Sequence, residues 1–276
     1  MGEARERQAE GPDRMTSHTA GAADGAAGLF DVHGRVAVVT GASSGLGEGF
    51  TRTLAEAGAT VFATARRLDR LEALAKEHDA VVPVACDVTV HDDRCALVER
   101  AVRHGDRIDI LVNNAGVSGP PQAEDETPED FHGVLDVNLA AGFHLATAVA
   151  SSAPEQTDLS IINVSSVVGM VTTAPIGGAS YAASKAGILG LTRELAGQWG
   201  RRGIRVNAIV PGWFDTEMTD GLFDNERSAT WVRRNTLLNR GGRPGEVDGA
   251  LLFLASAASS YVTGQAIVVD GGWTAR

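Results

Sequence analysis

A tyrosine and a lysine lie four residues apart in the stretch Ser180–Lys185. Residues at this spacing are neighbours on one face of a helix. An ammonium group beside a phenol favours the phenolate, so Lys185 is expected to lower the pKa of Tyr181 from its ordinary value of about 10. The chain has only two tyrosines, and its only lysines are Lys76 and Lys185. The spacing predicts an acid/base pair, and by itself it also fits an ordinary amphipathic helix start.

Composition narrows the classes of function. The chain has 276 residues, a formal net charge of -11 and a pI of about 5.1, which disfavours a nucleic acid or an anionic membrane as partner. No apolar run approaches the roughly 20 residues of a membrane span. Cys86 and Cys95 are isolated thiols, without the spacing of a metal site or the density of a disulfide scaffold. We expect a soluble cytoplasmic protein without a metal.

A glycine-rich turn, Thr40–Gly47, follows the apolar run Val36–Thr40 and precedes a helical pattern. Glycines at such a junction allow a tight turn and let a pyrophosphate approach the N–H groups at the helix N-terminus. The spacing is Gly-x-x-x-Gly-x-Gly, which differs from the common dinucleotide fingerprint. A loop of this kind indicates a phosphate-binding turn, and a plain structural turn remains the alternative.

Strand and helix patterns alternate along the chain. Strands are predicted at 36–40, 60–65, 81–86, 108–112, 159–164, 204–210 and 265–269, and the main helices at 50–57, 68–78, 92–103, 128–151, 178–199 and 244–256. This alternation predicts an α/β fold: one Rossmann-like, doubly wound parallel sheet of about seven strands, with helices on both faces. Residues 31–276 are expected to form one domain. Residues 1–30 are expected to be a disordered tail, and either Met1 or Met15 could be the true start.

Taken together, the motifs resemble the short-chain dehydrogenase/reductase family in its short, single-domain form, over nearly all of residues 34–273. Beyond the glycine turn and the Tyr181–Lys185 pair, four segments and one single residue match family motifs in family order. They are Asp87–Val88, Asn113–Gly116, Asn138, Ile161–Ser166 and Pro211–Thr216.

This resemblance implies hydride transfer between a nicotinamide cofactor and a ketone or secondary alcohol. It implies that Tyr181 is the general acid/base, that Ser166 holds the carbonyl oxygen, that Lys185 stabilises the phenolate, and that Asn138 holds a water connecting Lys185 to solvent. The cofactor-binding residues it implies are Gly41, Ser43, Ser44, Gly45, Leu46, Gly47, Arg66, Arg67, Asp87, Val88, Asn114, Ala115, Gly116, Tyr181, Lys185, Pro211, Gly212, Phe214 and Thr216.

Two details of the catalytic segment differ from a simple match. Ser165 and Ser166 are adjacent, and strand alternation lets only one of them face the site. We assign Ser166 to the family position and expect the Ser165 hydroxyl to be satisfied by backbone. The segment between Ser166 and Tyr181 is two residues longer than the usual family spacing, which makes loop 167–180 an unusual part of the substrate pocket.

The end of the second strand bears on the choice of cofactor. An acidic residue there would bind the adenosine ribose of NAD, whereas a basic one would bind the 2′-phosphate of NADP. The sequence reads Ala65-Arg66-Arg67, which favours NADP(H) over NAD(H), with Arg66 the better candidate. Against this, Ser43 and Ser44 stand where many NADP-dependent members carry a basic residue in the glycine loop.

The segment 213–243 is expected to be a substrate lid, because apolar side chains are interspersed there among polar ones; packing as core or subunit contacts is the alternative. We expect a small-molecule carbonyl or alcohol substrate, with 3-oxoacyl-thioester reduction and sugar or polyol oxidation as the leading subclasses. Arg233, Arg234 and Arg240 could meet a substrate anion. The resemblance also implies a homotetramer, formed through residues 264–273 and helped by Leu251–Leu254. The rival function is a catalytically idle dinucleotide-binding regulator.

Overall fold

The computed structural model describes residues 25–174 and 176–276, which form seven strands and eight α-helices. The strands are β1 (Val36–Thr40), β2 (Thr60–Ala65), β3 (Val81–Ala85), β4 (Ile110–Asn113), β5 (Ser160–Val164), β6 (Arg205–Pro211) and β7 (Ala266–Val269). The helices are α1 (Gly45–Glu56), α2 (Leu68–Glu77), α3 (His91–Gly105), α4 (Pro128–Leu135), α5 (Ala141–Ser152), α6 (Ala179–Trp199), α7 (Glu226–Asn235) and α8 (Asp248–Ala255).

All seven strands are parallel and form one sheet in the order β3-β2-β1-β4-β5-β6-β7. The central strands are apolar without alternation because helices cover both of their faces. In β1, Ala37 and Val39 face a core shared with α1 and α8, whereas Val36 and Val38 face a core shared with α3, α5 and α6. The doubly wound sheet predicted from the sequence is confirmed.

The strand order reverses at β1, which lies between β2 and β4. In open α/β sheets, ligands bind in the crevice beyond the strand ends at such a switch point. Here the crevice is braced by Thr40, whose hydroxyl accepts hydrogen bonds from the backbone N–H groups of Asn114 (2.9 Å) and Ala115 (3.0 Å). The turns that follow β1 and β4 are thereby tied together.

Several element boundaries differ from the sequence-based prediction. The helix predicted at 128–151 is two α-helices joined by a π-helical turn, Asp136–Ala140, and the last long helix begins at Asp248 rather than at 244. The segment 213–243 contains a helix, α7, that was not predicted. Leu251 and Leu254 are fully buried inside their own chain, so they are not available as the subunit contacts expected of them.

The predicted N-terminal tail falls mostly outside the described residues. Its last part, Ala26–Phe30, forms a 3₁₀ turn just before β1. In the part of the chain that the structure describes, one helical run, Pro128–Ser152, is long and apolar enough to cross a membrane, and 39% of its most apolar window is buried. This run packs against α3 and α6 as a helix layer of the fold.

Candidate active site

A cleft of about 570 Å³ runs along the carboxyl ends of the strands, a volume in the range of small-molecule and cofactor sites. It brings together all the predicted site residues except Gly47 and Asn138, which lie directly behind its wall. The glycine turn lines one end of the cleft and Tyr181 lines it further along, beside loop 167–180 and the segment 213–243. Predicted site residues from seven separate stretches of sequence thus meet in one cavity.

The glycine turn has the geometry of a phosphate cradle. Gly41 (φ 65°) and Gly45 (φ 57°) adopt left-handed backbone conformations that favour glycine. A Cβ on Gly47 would lie 2.3 Å from the carbonyl oxygen of Gly41, so only glycine fits there. The turn leads directly into α1, whose first N–H groups form an anion site. The residues present therefore fit the pyrophosphate of a dinucleotide.

Helix α6 carries both Tyr181 and Lys185 and is anchored at its N-terminus. Glu126 accepts hydrogen bonds from the backbone N–H of Ser180 (3.2 Å) and from the Ser180 hydroxyl. Ser180 is fully buried, and Glu126 comes from the loop before α4. A carboxylate at a helix N-terminus satisfies free N–H groups and is favoured by the helix dipole. This contact fixes the residue immediately before Tyr181.

The two adjacent serines at the end of β5 have different partners. The Ser165 hydroxyl is buried and donates a hydrogen bond of 2.7 Å to the backbone carbonyl of Lys185. The Ser166 side chain lines the cleft and is hydrogen-bonded to the Tyr181 phenol. Ser165 therefore joins the strand to α6, and Ser166 is the serine that reaches the phenol.

Lys185 is 4% exposed, and its Nζ donates a 2.9 Å hydrogen bond to the backbone carbonyl of Val164. Burial lowers the pKa of Lys185 to about 8, because the charged ammonium loses its hydration. Nζ lies 5.5 Å from the centre of the Tyr181 ring. At neutral pH most of the population still carries the positive charge beside the phenol.

The sequence-based expectation for the pKa of Tyr181 is wrong for the chain alone. Burial raises the pKa of Tyr181 to about 12, and the hydrogen bond from Ser166 opposes this rise only in part. Loss of hydration destabilises the phenolate more than the nearby groups stabilise it. Tyr181 is consequently a phenol at neutral pH and holds a proton that it can donate.

Asn138 lies in the π-helical turn, behind Gly116. Its side chain accepts from the backbone N–H of Val117 (2.8 Å) and donates to the Val117 carbonyl (2.9 Å) and to the Ser184 hydroxyl (3.0 Å). Asn138 therefore ties the turn after β4 to helix α6. A Cβ added to Gly116 would lie 3.3 Å from Oδ1 of Asn138 and 3.5 Å from Nζ of Lys185, so both side chains lie close to that glycine.

Arg67 supplies the positive charge that the glycine loop itself lacks. Its Nε donates to the Ser43 hydroxyl (3.2 Å) and its Nη2 donates to the Ser44 hydroxyl (2.8 Å). The guanidinium therefore lies over the serines where a basic loop residue was missing from the sequence. Arg66 is exposed on the cleft wall. Hydrogen bonds from Thr89 lower the pKa of Asp87, and the charge of Arg66 lowers it further.

The end of the cleft near Tyr181 is apolar. Its walls include Val168, Ile176, Trp213 and Met218, and Lys185 is the one cation there among the described residues. Arg233 and Arg240 form ion pairs with Glu226 and Glu246, both with an N–O distance of 2.6 Å. Neither of these arginines, nor Arg234, lines the cleft. The arginines of segment 213–243 are therefore not placed to meet a substrate anion.

The two ends of the segment 213–243 are hydrogen-bonded to each other. The backbone N–H of Gly242 donates to the Trp213 carbonyl (2.8 Å), and the rings of Trp213, Trp231 and Trp273 pack with centroids 4.8 to 5.6 Å apart. Its apolar side chains thus serve partly as core and partly as cleft wall. Over residues 25–174 and 176–276, no group of three or more His, Cys, Asp or Glu side chains is arranged to hold a metal ion.

Two residues of the site were not identified from the sequence. Glu126 contacts Ser180 across 54 positions, and Glu217 contacts Arg67 across 150 positions. Neither residue belongs to a local motif with a characteristic spacing. Only the fold brings each carboxylate to its partner.

Comparison with known proteins covers most of the chain. A family model described as enoyl-(acyl carrier protein) reductase matches residues 41–274. The chain is 41% identical to the 3-oxoacyl-[acyl-carrier-protein] reductase FabG of Thermotoga maritima over 245 residues, which cover 87% of this chain and 98% of the relative.

Solved structures agree with the sequence comparison. A short-chain type dehydrogenase/reductase from Mycobacterium marinum matches with a TM-score of 0.85 at 36% identity, over 90% of this chain and 98% of that one. A gluconate 5-dehydrogenase from Burkholderia cenocepacia, solved in complex with NADP and tartrate, gives the same TM-score, identity and coverage. Identities of 36% to 41% over 87% to 90% of this chain indicate a shared family and not only a shared fold.

Proposed function

The chain belongs to the short-chain dehydrogenase/reductase family and is an oxidoreductase that transfers a hydride between a nicotinamide cofactor and a ketone or secondary alcohol; on this premise we propose that it is an NADPH-dependent reductase of neutral, largely apolar ketones. The observation that carries the proposal is that Ser166, Tyr181 and Lys185 line the apolar end of a cleft that begins at a phosphate cradle.

The proposed cofactor site uses the whole length of the cleft. The glycine turn and the N-terminus of α1 would hold the pyrophosphate, Asp87 and Val88 the adenine, and Asn114–Gly116 the adjoining ribose. Tyr181 and Lys185 would contact the nicotinamide ribose, and Pro211–Thr216 the nicotinamide amide. When bound, the nicotinamide supplies or accepts the hydride.

The proposed proton transfer depends on three side chains. The Ser166 hydroxyl donates to the substrate carbonyl oxygen, where negative charge develops as hydride reaches the carbon. Tyr181 Oη then transfers its proton to that oxygen. Lys185, charged below a pKa of about 8, stabilises the phenolate that remains. Asn138 is a positioning residue in this scheme, because it holds the turn after β4 against α6.

The preference for NADP(H) is supported by the charges at the adenosine end. Arg66 and Arg67 both line the cleft there, and no carboxylate stands at the end of β2 to receive a ribose hydroxyl. A 2′-phosphate carries close to two negative charges and three acceptor oxygens, which suit guanidinium donors. That the Burkholderia relative was solved with NADP agrees with this choice.

The proposed substrate class follows from the walls near Tyr181. A substrate carboxylate placed there would lose its hydration without gaining a cationic partner other than the catalytic Lys185. This favours a neutral ketone, such as a 3-oxoacyl thioester, over an aldonate. The 41% identity to a 3-oxoacyl-[acyl-carrier-protein] reductase agrees with the same choice.

Two alternatives make different predictions. An NAD-dependent sugar or polyol dehydrogenase, favoured by the likeness to the gluconate enzyme, would bind NADH at least as well as NADPH. A catalytically idle dinucleotide-binding regulator would bind the cofactor without turnover. The presence of Ser166, Tyr181 and Lys185 together in the cleft disfavours the regulator, because such a protein has no need of a proton donor.

We propose that the protein assembles as a homotetramer and is located in the cytoplasm. A homotetramer formed through β7 and the residues after it fits the exposed Val268, Leu237 and Leu238 near that edge of the sheet. Sedimentation velocity at micromolar concentration is expected to show four copies, and a monomer would contradict this. The two free cysteines and the acidic charge fit a cytoplasmic protein.

The experiment that tests the cofactor choice is a pair of titrations with NADPH and NADH, followed by intrinsic tryptophan fluorescence, to which Trp213 in the cleft wall contributes. NADPH is expected to bind at least about tenfold tighter, and Arg66→Ala to remove most of that margin, as expected for a charged hydrogen bond. Arg100→Ala, an exposed arginine of α3 outside the cleft, is the matched control. Equal binding of both cofactors would contradict the proposal.

A second experiment tests the substrate class. A neutral β-keto ester and the corresponding β-keto acid have the same reacting group and differ in charge. The ester is expected to be reduced with at least about tenfold higher kcat/KM, because the acid must bury an unpaired carboxylate. A higher kcat/KM for the acid would show that the site accommodates an anion.

A further inference from the structure

A carboxylate of the lid lies on the arginine expected to bind the cofactor phosphate. Glu217 begins the 3₁₀ turn Glu217–Thr219, directly after Thr216. Its carboxylate accepts hydrogen bonds from Arg67 Nη2 (2.9 Å) and Nη1 (3.4 Å), and a further one from Arg70. The same Nη2 atom of Arg67 also donates to the Ser44 hydroxyl (2.8 Å). The lid is thus joined across the cleft to the glycine turn.

The donors used by Glu217 are those that an anion of the cofactor would need. Ser43, Ser44 and Arg67 all line the cleft at its adenosine end, as does Glu217 itself. Arg67 directs its Nε and both Nη atoms to these serines and to Glu217, so four of its five N–H groups are engaged. A phosphate reaching the same donors would meet the charge of Glu217 at close range. The two anions therefore compete for one site.

The charge state of Glu217 strengthens this competition. Hydrogen bonds from Arg67 and Arg70 lower the pKa of Glu217 to about 2, so the side chain is ionised throughout the physiological range. About half of the side chain is exposed to solvent, so it can swing away without breaking the core. Arg66 does not bond to Glu217 and stays available for a first phosphate contact.

We propose that Glu217 is a cofactor-specificity residue: its carboxylate occupies the 2′-phosphate position on Arg67 and must be displaced by NADP(H) but not by NAD(H). This inference rests on the proposed function, since it assumes that the cleft binds a nicotinamide dinucleotide. Glu217 therefore reduces the preference for NADP(H) that Arg66 and Arg67 create. Displacement also breaks the contact between the lid turn and the glycine loop, so binding of the 2′-phosphate loosens the lid at that point.

The test isolates the phosphate from the rest of the cofactor. Adenosine 2′,5′-bisphosphate and ADP are titrated into wild type and Glu217→Gln by calorimetry, without substrate or turnover. The variant is expected to bind the 2′,5′-bisphosphate about three- to tenfold tighter, the scale of an exposed ion pair that no longer has to be displaced. ADP binding is expected to change less than twofold.

Two controls make the result specific. Glu226→Gln removes another exposed lid carboxylate that is paired with an arginine outside the cleft, and it is expected to leave both affinities unchanged. In an Arg67→Ala background the Glu217→Gln gain is expected to disappear, because the two residues act on one position. A gain that persists without Arg67 would overturn the mechanism.

The outcomes separate this inference from the proposed cofactor choice. Unchanged or weaker bisphosphate binding by Glu217→Gln overturns the competition, whatever the wild-type preference proves to be. If wild type binds NADH as tightly as NADPH while Glu217→Gln gains affinity for the bisphosphate, the competition stands and the proposed NADP preference fails. NADPH titrations of the same variants provide the direct comparison.

Discussion

Replacing Lys185 with methionine is expected to make the protein more stable at neutral pH. Lys185 is 4% exposed, and burial lowers its pKa from 10.5 to about 8. At 1.36 kcal/mol per pKa unit, the buried charge costs about 3 kcal/mol at pH 7. Methionine has a similar length and no charge, but it leaves the Val164 carbonyl without the Lys185 donor, which costs about 1 kcal/mol. The expected net gain is about 2 kcal/mol.

The gain should depend on pH with a defined sign. Below pH 8 the lysine is protonated in both folded and unfolded chains, so the full cost of the buried charge is present. Between pH 8 and 10.5 the unfolded chain binds more protons than the folded one, and wild-type stability therefore rises with pH relative to the variant. Above pH 10.5 both forms are neutral and the advantage of methionine disappears.

The assay is urea unfolding followed by tryptophan fluorescence at a series of pH values from 6.5 to 10.5. Lys76→Met, at the only other lysine of the chain and on the exposed face of α2, is the matched control and should show no such pH dependence. The reasoning is refuted if Lys185→Met is less stable than wild type at pH 7 and the difference does not change with pH.

Three further predictions concern the site. Glu126→Ala should destabilise the protein by about 2 kcal/mol, because it removes two charge-assisted hydrogen bonds to Ser180. The same variant should lower kcat more than it changes NADPH affinity. Glu126→Gln should restore part of the stability and part of kcat, as unfolding and kinetic assays would show. Gly47→Ala should abolish dinucleotide binding in a titration, since its Cβ would lie 2.3 Å from the Gly41 carbonyl oxygen, whereas Gly49→Ala, with open space around it, should not. Because the pKa of Tyr181 is raised to about 12, the fraction of phenolate grows as pH rises from 7 to 10 while the phenol stays in large excess. Alcohol oxidation should therefore speed up over this range and ketone reduction should stay nearly constant, as pH–rate profiles in the two directions would show.

The features that could be predicted from sequence are those that depend on residues close together in the chain. Buried parallel strands are continuous apolar runs, so β1 and β2 were placed to the residue and β5 to within one residue at its start. The glycine turn and the Tyr181–Lys185 spacing are also local, and parallel strands bring their carboxyl ends to one edge. This is why the cleft could be assembled in advance from separate stretches of the chain.

The features that could not be predicted depend on burial and on distant contacts. The direction of the Tyr181 pKa shift follows from the loss of hydration in the folded cleft, which the spacing of Tyr181 from Lys185 does not reveal. Arg67 compensates for the missing basic residue of the glycine loop only because β2 and the turn are adjacent in the sheet. Glu217 and Glu126 act on partners 150 and 54 positions away, beyond the reach of any motif.

The central claim is that Tyr181 donates the proton that completes ketone reduction. The most direct test is the single-turnover rate of β-keto ester reduction by Tyr181→Phe with NADPH, measured beside NADPH affinity. The account predicts a rate at least about a hundredfold lower, the scale of a lost general acid, with NADPH affinity changed less than threefold. A rate within threefold of wild type would contradict it.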